Sequence, residues 1–201
     1  MILTIDIELA VEVLNREGVI MVPTETVYGL AGDANSSKAV KTIFALKRRP
    51  LEVMLPVMVK DLDTALSFMD DERVKAQLKV LGEAFWPGPL TVVVAKAENA
   101  PLEAFKGQQT IGFRCPDHPQ LLSLLSVFGP LAVTSANLHG QKPIQKPEEG
   151  EGIFPDDILC IDGGMCHGQP STVVSLAGDE VEIMRAGPIS LDQIMNVLIN
   201  K

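Results

Sequence analysis

Short runs of apolar and β-branched residues recur along the whole chain, and they constrain its fold more than any other feature. Runs of this length between turn residues are typical of short buried strands. Helical patterns lie between them, but strands and helices do not alternate as steadily as in a doubly wound fold. We therefore predict an α/β (α+β) fold with a twisted, mixed, largely open β-sheet flanked by helices. The predicted strands lie near 19–22, 54–59, 90–95, 110–113, 131–133, 158–161, 172–176 and 181–184.

The predicted helices begin and end at residues with clear capping preferences. Asp6 is a suitable N-cap for a first helix, which Gly18 is predicted to close. A second helix begins at Ser36 or Ser37 and stops at Pro50, which disfavours helical backbone in the residue before it. Apolar spacing predicts helices over 7–17, near 61–69 and 71–85, around 117–128 and from about 191.

Two segments depart from regular patterns. Pro56 lies inside the apolar run 54–59 and cannot donate to a strand ladder, so we predict an edge strand or a strand with a break there. The polar, proline-containing stretch 140–152 is predicted to be a mobile surface loop.

Composition limits the class of protein. A chain of 201 residues with 46% hydrophobic content can bury a large core, and we predict a single domain over 1–201. The net charge of −9 argues against a broad nucleic-acid-binding face. The cysteines Cys115, Cys160 and Cys166 form no CxxC pair, which favours a reducing compartment. No secretory signal or membrane-spanning run is recognisable, so the predicted location is the cytoplasm.

A polar cluster directly follows the first predicted buried strand. Residues 19–22 are apolar, Pro23 ends the run, and Thr24, Glu25 and Thr26 come next. In open α/β sheets, ligands bind in the crevice beyond the carboxyl ends of strands. These side chains are therefore placed to bind a small ligand, although a polar loop with a proline turn is the more frequent explanation of such a segment when it is taken alone.

Other candidate residues also lie at the ends of predicted elements. The cations Lys47, Arg48 and Arg49 end a helix, where they either bind phosphate or complement the helix dipole. Residues 134–137 (Thr-Ser-Ala-Asn) follow a strand and offer either ligand contacts or a helix cap.

Two further segments carry polar groups on predicted strands. In Thr110-Ile-Gly-Phe-Arg114, Gly112 can mark the close approach of a ligand, whereas Arg114 by itself could be an ordinary surface ion pair. Ser171 opens one late strand, and Arg185 ends another.

Several common sites are absent from the sequence. The histidines and cysteines lack zinc-ligand spacing, so no metal site is predicted. There is no G-x-x-x-x-G-K-[ST] motif of the Walker type. There is also no G-x-S-x-G elbow that would make Ser135 a hydrolase nucleophile.

Taken together, the motifs resemble one family in their order along the chain. They are Pro-Thr-Glu-Thr-Val-Tyr-Gly-Leu at 23–30, Lys-Arg-Arg-Pro at 47–50, Trp-Pro-Gly-Pro-Leu-Thr at 86–91, Thr-Ile-Gly-Phe-Arg-Cys-Pro at 110–116, Thr-Ser-Ala-Asn at 134–137 and Pro-Ser-Thr-Val-Val at 170–174. The chain is similar, over about 10–190, to the YrdC-type threonylcarbamoyl-adenylate synthases. The resemblance implies a YrdC-like twisted sheet around a concave, positively charged active site.

The resemblance also implies an activity. A nucleotidyltransferase of this family condenses L-threonine, bicarbonate and ATP to threonylcarbamoyl-AMP and pyrophosphate. A downstream tRNA threonylcarbamoyl transferase complex then modifies adenosine 37 of tRNA. Double-stranded RNA binding, expected to be weak here, is a further implication. Phosphoryl-type transfer depends on positioning and charge stabilisation, so no side-chain nucleophile is required, and Mg²⁺ would be held mainly by phosphates.

Site residues follow from the resemblance, motif by motif. The catalytic set is Lys47, Arg49, Ser135 and Asn137. The residues expected to bind ATP are Lys47, Arg49, Thr110, Ser135, Ala136, Asn137 and Arg185. Those expected to bind L-threonine are Thr24, Arg114, Thr134 and Ser171, with Arg114 as counter-ion for the carboxylate.

Two positions depart from the family pattern. Met58 stands where a histidine is usual, and His139 replaces a serine. Because the usual histidine lies near the threonine, Met58 bears on which amino acid is used. Two alternatives therefore stay open: a carbamoyl-adenylate-forming relative, and a nucleotide- or RNA-binding module without catalysis.

Overall fold

The computed structural model describes residues 1–48, 55–97, 100, 102, 105, 107–166 and 168–200. Within these residues, ten strands form one sheet. In chain order they are β1 (Ile2–Thr4), β2 (Ile20–Val22), β3 (Gly29–Asp33), β4 (Pro56–Met58), β5 (Leu90–Ala95), β6 (Thr110–Arg114), β7 (Leu131–Ser135), β8 (Leu159–Ile161), β9 (Thr172–Ser175) and β10 (Glu182–Arg185). Their spatial order is β1-β8-β2-β3-β7-β4-β6-β5-β9-β10, with parallel and antiparallel pairs mixed. The predicted mixed α/β sheet is confirmed.

Six helices lie in the described part of the chain. They are α1 (Ile7–Asn15), α2 (Ser37–Lys47), α3 (Leu62–Leu66), α4 (Glu72–Phe85), α5 (Pro119–Phe128) and α6 (Leu191–Ile199). As predicted, Asp6 caps the first helix: its carboxylate accepts from the Glu8 and Leu9 amides. Ser36, rather than Ser37, caps the second. None of these helices is long and apolar enough to cross a membrane.

The helices divide between the two faces of the sheet. α1 and α5 pack on each other and contribute, with β2, β7 and β8, to one apolar cluster. α2 and α4 contribute to a larger cluster on the opposite face, and α6 packs on α4. Because side chains alternate along a strand, each strand supplies residues to both faces.

Three differences from the sequence-based expectations concern the sheet. β4 is not an edge strand: it lies between β7 and β6, and Pro56 is tolerated because it is the first residue of the strand. β7 continues through Thr134 and Ser135, which pair with Leu30 and Gly29. The prediction missed β1 and also β3, whose Gly-Leu-Ala-Gly-Asp sequence has low strand propensity.

Two loop expectations are also revised. The first helix ends at Asn15, two residues early, and Glu17 rather than Gly18 takes the left-handed backbone conformation after it, at φ 58°. In the segment 140–152, Ile144 is buried: its carbonyl accepts from the Tyr28 amide, and its amide donates to the Ala136 carbonyl. This segment is therefore attached to the sheet at its middle.

Candidate active site

A cavity of about 540 Å³ lies on the concave face of the sheet. It covers β4, β6, β5 and β9, next to the part of the same face that α1 and α5 occupy. The cavity therefore extends from the strand ends onto the face of the sheet, whereas the sequence-based expectation placed a ligand beyond the strand ends alone. Strand residues with side chains on one face form its floor, while the 24–29 loop and Pro170 complete its walls.

One row of side chains crosses five strands at one end of the cavity. Register places Met58 of β4 beside Arg114 of β6. Val92 pairs with Phe113, which puts Thr91 of β5 next to Arg114 on the other side. Thr91 pairs with Val173 of β9, and Val173 with Arg185 of β10. At about 4.8 Å per strand, the backbones of the two arginines are about 14 Å apart along this row.

The next row is small and apolar, which makes the surface concave. It contains Pro56, Gly112, Val93 and Val133. A Cβ on Gly112 would lie 3.3 Å from Thr91 Cγ2 and 3.5 Å from Val93 Cγ2. The absence of a side chain at this position therefore leaves the floor open, as the sequence predicted for a glycine near a ligand.

The Thr24 hydroxyl is fully used within its own loop. Thr24 Oγ1 donates to the Val27 carbonyl (2.7 Å) and accepts from the Thr26 and Val27 amides (3.0 and 3.1 Å). Because its proton goes to Val27, the 2.8 Å contact with Thr26 Oγ1 must use the proton of Thr26. Thr24 lines the cavity but chiefly shapes the loop, so its contact with threonine stays a prediction.

Arg114 lines the cavity, and its Nε and Nη2 atoms are held by protein partners. Its Nε donates to the Gly88 carbonyl (3.2 Å), and its Nη2 donates to Thr26 Oγ1 (3.1 Å). The same Nη2 lies 2.6 Å from Glu25 Oε1 in a largely buried ion pair. Within the described part of the chain Nη1 has no protein partner, so one edge of the guanidinium can meet a ligand.

Glu25 is a positioning residue for Arg114. Apart from the ion pair, its two buried carboxylate oxygens have no hydrogen-bond partner among the described residues. The carboxylate also influences His118: burial lowers the pKa of that imidazole, and Glu25 opposes this shift. The loss of Arg114 would thus leave a buried charge uncompensated.

Ser171 joins Arg185 to Thr91. Arg185 Nε donates to the Ser171 carbonyl (3.0 Å), and Nη2 donates to Ser171 Oγ (3.0 Å). Ser171 Oγ lies 2.9 Å from Thr91 Oγ1. The predicted residues Ser171 and Arg185 are therefore together in the cavity, although the prediction assigned them to different ligands.

Lys47 anchors the segment that follows β7. Its ammonium donates to the Ser135 carbonyl, the Asn137 carbonyl (2.9 Å) and Asn137 Oδ1 (2.8 Å). Ser135 Oγ in turn donates to Asn137 Oδ1 (2.6 Å). Lys47 is only 2% exposed, and these three bonds match the three donors of an ammonium group. In this arrangement Lys47 positions the Ser135–Asn137 segment.

Two of the other predicted residues, Thr134 and Ser135, line the same cavity, whereas Thr110 and Asn137 are not among its lining residues. Ala136 is buried and donates its amide to the Tyr28 carbonyl (2.7 Å). Thr110 begins β6, about 13 Å along the strand from Arg114. Arg49 lies outside the described residues.

Four residues of the site have no ligand assigned to them from the sequence, although Glu25 and Thr26 belong to the polar cluster noted there. Thr26, Thr91 and Met184 line the cavity, and Glu25 pairs with Arg114. Three of them lie inside quoted motifs, Glu25 and Thr26 at 23–30 and Thr91 at 86–91, so the motifs pointed to them. Met184, exposed on edge strand β10, carries no local signal.

The charges around the cavity favour an anionic ligand. Among the described lining residues, Arg114 and Arg185 are the charged side chains, and no carboxylate is present. The described residues also contain no cluster of three or more histidines, cysteines and acids that could hold a metal.

A cavity on the face of the sheet, with two arginines and the hydroxyls of Thr91 and Ser171 between them, is suited to small anionic molecules. The chain belongs to the Sua5/YciO/YrdC family: the family profile, described as "Telomere recombination", matches residues 12–187. The family resemblance inferred from the motifs is confirmed.

Relatives and solved structures support this assignment. A Bacillus subtilis threonylcarbamoyl-AMP synthase is 36% identical over 193 residues, which cover 94% of this chain and 55% of the relative. Pyrococcus abyssi Sua5 complexed with L-threonine superposes with a TM-score of 0.84 at 31% identity, over 95% of this chain and 56% of that one. Escherichia coli YciO superposes with a TM-score of 0.82 at 25% identity, over 96% and 97%. The chain thus spans about half the length of the Bacillus and Pyrococcus proteins and nearly all of YciO.

Proposed function

We propose that this chain is an L-threonylcarbamoyladenylate synthase, a nucleotidyltransferase that acts as a single domain over 1–201. The observation that carries the proposal is the pair of arginines, Arg114 and Arg185, with the hydroxyls of Thr91 and Ser171 between them. No carboxylate is present among the described residues that line this cavity. Such a site suits a reaction that joins an amino acid, which has a carboxylate, to a nucleotide, which has phosphates. The activity carried by the Bacillus relative's name supports the same reaction.

The proposed roles divide the residues of the site between the two substrates. Threonine lies against Thr24, Arg114, Thr134 and Ser171, with its carboxylate on the open edge of the guanidinium. ATP lies against Arg185, Thr110 and Ser135, and Lys47 with Ala136 and Asn137 supports Ser135 from behind. Arg49 is assigned to the phosphates from the motif alone. The protein's contribution is positioning and charge stabilisation, because the carbamate oxygen itself is the nucleophile.

Mg²⁺ and the cellular context complete the proposal. Mg²⁺ would enter with ATP and neutralise phosphate charge, in keeping with a cavity lining that has no carboxylate among the described residues. The product would pass to a tRNA threonylcarbamoyl transferase complex in the cytoplasm. Any contact with double-stranded RNA would be weak, because the chain carries a net charge of −9.

The direct test is a three-substrate assay. The purified protein is incubated with ATP, Mg²⁺, ¹³C-bicarbonate and L-threonine, and pyrophosphate and threonylcarbamoyl-AMP are measured by coupled assay and mass spectrometry. We expect both products, and neither without bicarbonate. Labelled carbamoyl-AMP, formed when ammonium replaces threonine as the nitrogen donor, would instead favour a carbamoyl-adenylate-forming enzyme. ATP binding without pyrophosphate would favour a non-catalytic module.

Met58 predicts how selective the enzyme is for its amino acid. The wall beside Arg114 on the β4 side consists of Met58, Pro56 and Val133, which offer a ligand side chain no hydrogen bond. An apolar subsite rejects an isosteric side chain weakly, by up to about 100-fold. We expect kcat/KM for threonine to exceed that for valine by no more than this factor.

Two variants test the assignment of that wall. Met58→His is expected to raise the ratio of threonine to valine use, because an imidazole can bond the threonine hydroxyl. Met58→Leu, which keeps the wall apolar, should leave the ratio unchanged. Competition assays with both amino acids in one mixture measure it. A wild-type ratio on the order of 10⁴ or more would show that the threonine side chain lies elsewhere.

A further inference from the structure

The hydroxyls of Thr91 and Ser171 lie between the two arginines of the cavity. Ser171 is assigned to threonine above, whereas Thr91 has no assigned ligand. Their oxygens are 2.9 Å apart, and both residues are nearly fully buried, with 4% and 3% of their surface exposed. Arg185 Nη2 donates to Ser171 Oγ, while Arg114 is the neighbour of Thr91 on the other side. The pair is therefore a built polar site between two cations.

One of the two hydroxyl protons of this pair has no hydrogen-bond acceptor among the described residues. The two hydroxyls carry two protons, and the single bond between them uses one. Ser171 Oγ accepts from Arg185, so that contact uses no hydroxyl proton. No other acceptor within the described residues takes the second proton. One O–H donor thus stays available to a ligand in the cavity.

We propose that this hydroxyl pair binds the one-carbon oxyanion of the reaction, bicarbonate and then the carbamate made from it. The inference rests on the proposed function and deepens it. In the product, the one-carbon unit links the amino-acid nitrogen to the α-phosphorus. Its site must therefore lie between the group that binds the amino-acid carboxylate and the group that binds the nucleotide, and Thr91 with Ser171 lies between Arg114 and Arg185.

The site would serve two consecutive steps, carbamate formation and adenylation, which need only the amino acid, bicarbonate and ATP. The neutral amine, having lost a proton to solvent, forms an N–C bond with the carbon of bicarbonate, and water leaves: RNH₂ + HCO₃⁻ → RNHCO₂⁻ + H₂O. A carbamate oxygen then forms a bond to the α-phosphorus of ATP, and the bond from that phosphorus to pyrophosphate breaks. The free hydroxyl proton can donate to the other carbamate oxygen, which stays bound while its partner reacts.

Thr91→Val is the principal test, because valine keeps the shape of threonine and removes the hydroxyl. Initial rates are measured against bicarbonate, threonine and ATP in turn, in buffers freed of dissolved CO₂. We expect the KM for bicarbonate to rise about tenfold or more, while the KM values for threonine and ATP change less than threefold. Thr91→Ser, which restores the hydroxyl, should return the bicarbonate KM to within threefold of wild type.

A binding measurement gives a readout independent of turnover. Broadening of the ¹³C signal of labelled bicarbonate is recorded with wild-type protein, Thr91→Val and Ser171→Ala, and thermal unfolding shows that each variant is folded. Loss of broadening in both variants would support the site. A Thr91→Val enzyme with unchanged bicarbonate KM, or one in which the threonine KM alone rises, overturns it. A wild-type enzyme that releases no pyrophosphate with all three substrates overturns the proposed function as well.

Discussion

Arg114→Met is expected to lower kcat/KM for threonine by about 100- to 1,000-fold. Arg114 Nη1, which has no protein partner among the described residues, can donate a charge-assisted hydrogen bond to a carboxylate. Truncating one partner of a buried, hydrogen-bonded charge pair costs about 2–5 kcal/mol, and about 1.4 kcal/mol corresponds to a factor of ten. Most of the loss should be in the KM for threonine, with ATP binding little changed. Steady-state kinetics with each substrate varied separately measure both effects.

The same substitution should also destabilise the fold, and a second substitution isolates the cause. Without Arg114, the Glu25 carboxylate, with 18% side-chain exposure, has no counter-ion or hydrogen-bond donor among the described residues. Breaking a buried pair in this way costs about 3–5 kcal/mol. Adding Glu25→Gln should restore most of the stability without restoring activity. Urea unfolding of the two single variants and the double variant measures this, and a double variant no more stable than Arg114→Met would contradict the coupling.

Lys47→Met is expected to destabilise the protein by about 3 kcal/mol and to lower turnover at least 100-fold. It leaves the Ser135 carbonyl, the Asn137 carbonyl and the Asn137 amide oxygen short of a donor, at about 1–3 kcal/mol for each group left unsatisfied. For a domain of this size, such a loss lowers Tm by about 10 °C. Turnover falls because Ser135, which lines the cavity, is no longer held in place.

Lys41→Met is the matched control for this experiment. Lys41 is exposed on α2, the helix that ends at Lys47, so its loss should change stability by less than about 0.5 kcal/mol. Circular dichroism gives Tm, and pyrophosphate release at a temperature where both variants are folded gives turnover. If Lys47→Met melts like Lys41→Met, the ammonium does not anchor the Ser135–Asn137 segment.

The strands with β-branched runs were predictable almost to the residue, as β5 over Leu90–Ala95 shows. Local propensity and apolar burial agree in such a segment, so neighbours in sequence suffice. β3 escaped prediction because its glycines oppose strand propensity, and contacts with β2 and β7 override that preference. An edge position, one of the two alternatives predicted for β4, was wrong because the position of Pro56 within its strand depends on where pairing begins.

The site, like the fold, combines features that the local sequence predicted with features that only long-range contacts determine. The motifs at 23–30, 86–91, 110–116, 134–137 and 170–174 all contribute residues to the cavity lining, so residue type and order alone indicated much of the site. The partners of those residues were not predictable: Lys47 meets Asn137 across 90 positions, and Thr91 meets Ser171 across 80. Nor did the motifs indicate that Thr24 uses its hydroxyl within its own loop while Thr26 contacts Arg114.

The sequence by itself determined the family, the mixed sheet and the kinds of groups that the site contains, because these depend on residue type, order and short-range spacing. Only the tertiary structure decided that the cavity lies on the face of the sheet and that the groups form a row from Met58 to Arg185. Strand order and register set that arrangement, and a shift of one residue would turn every side chain of a strand to the opposite face. Such long-range pairing leaves no local trace in the chain.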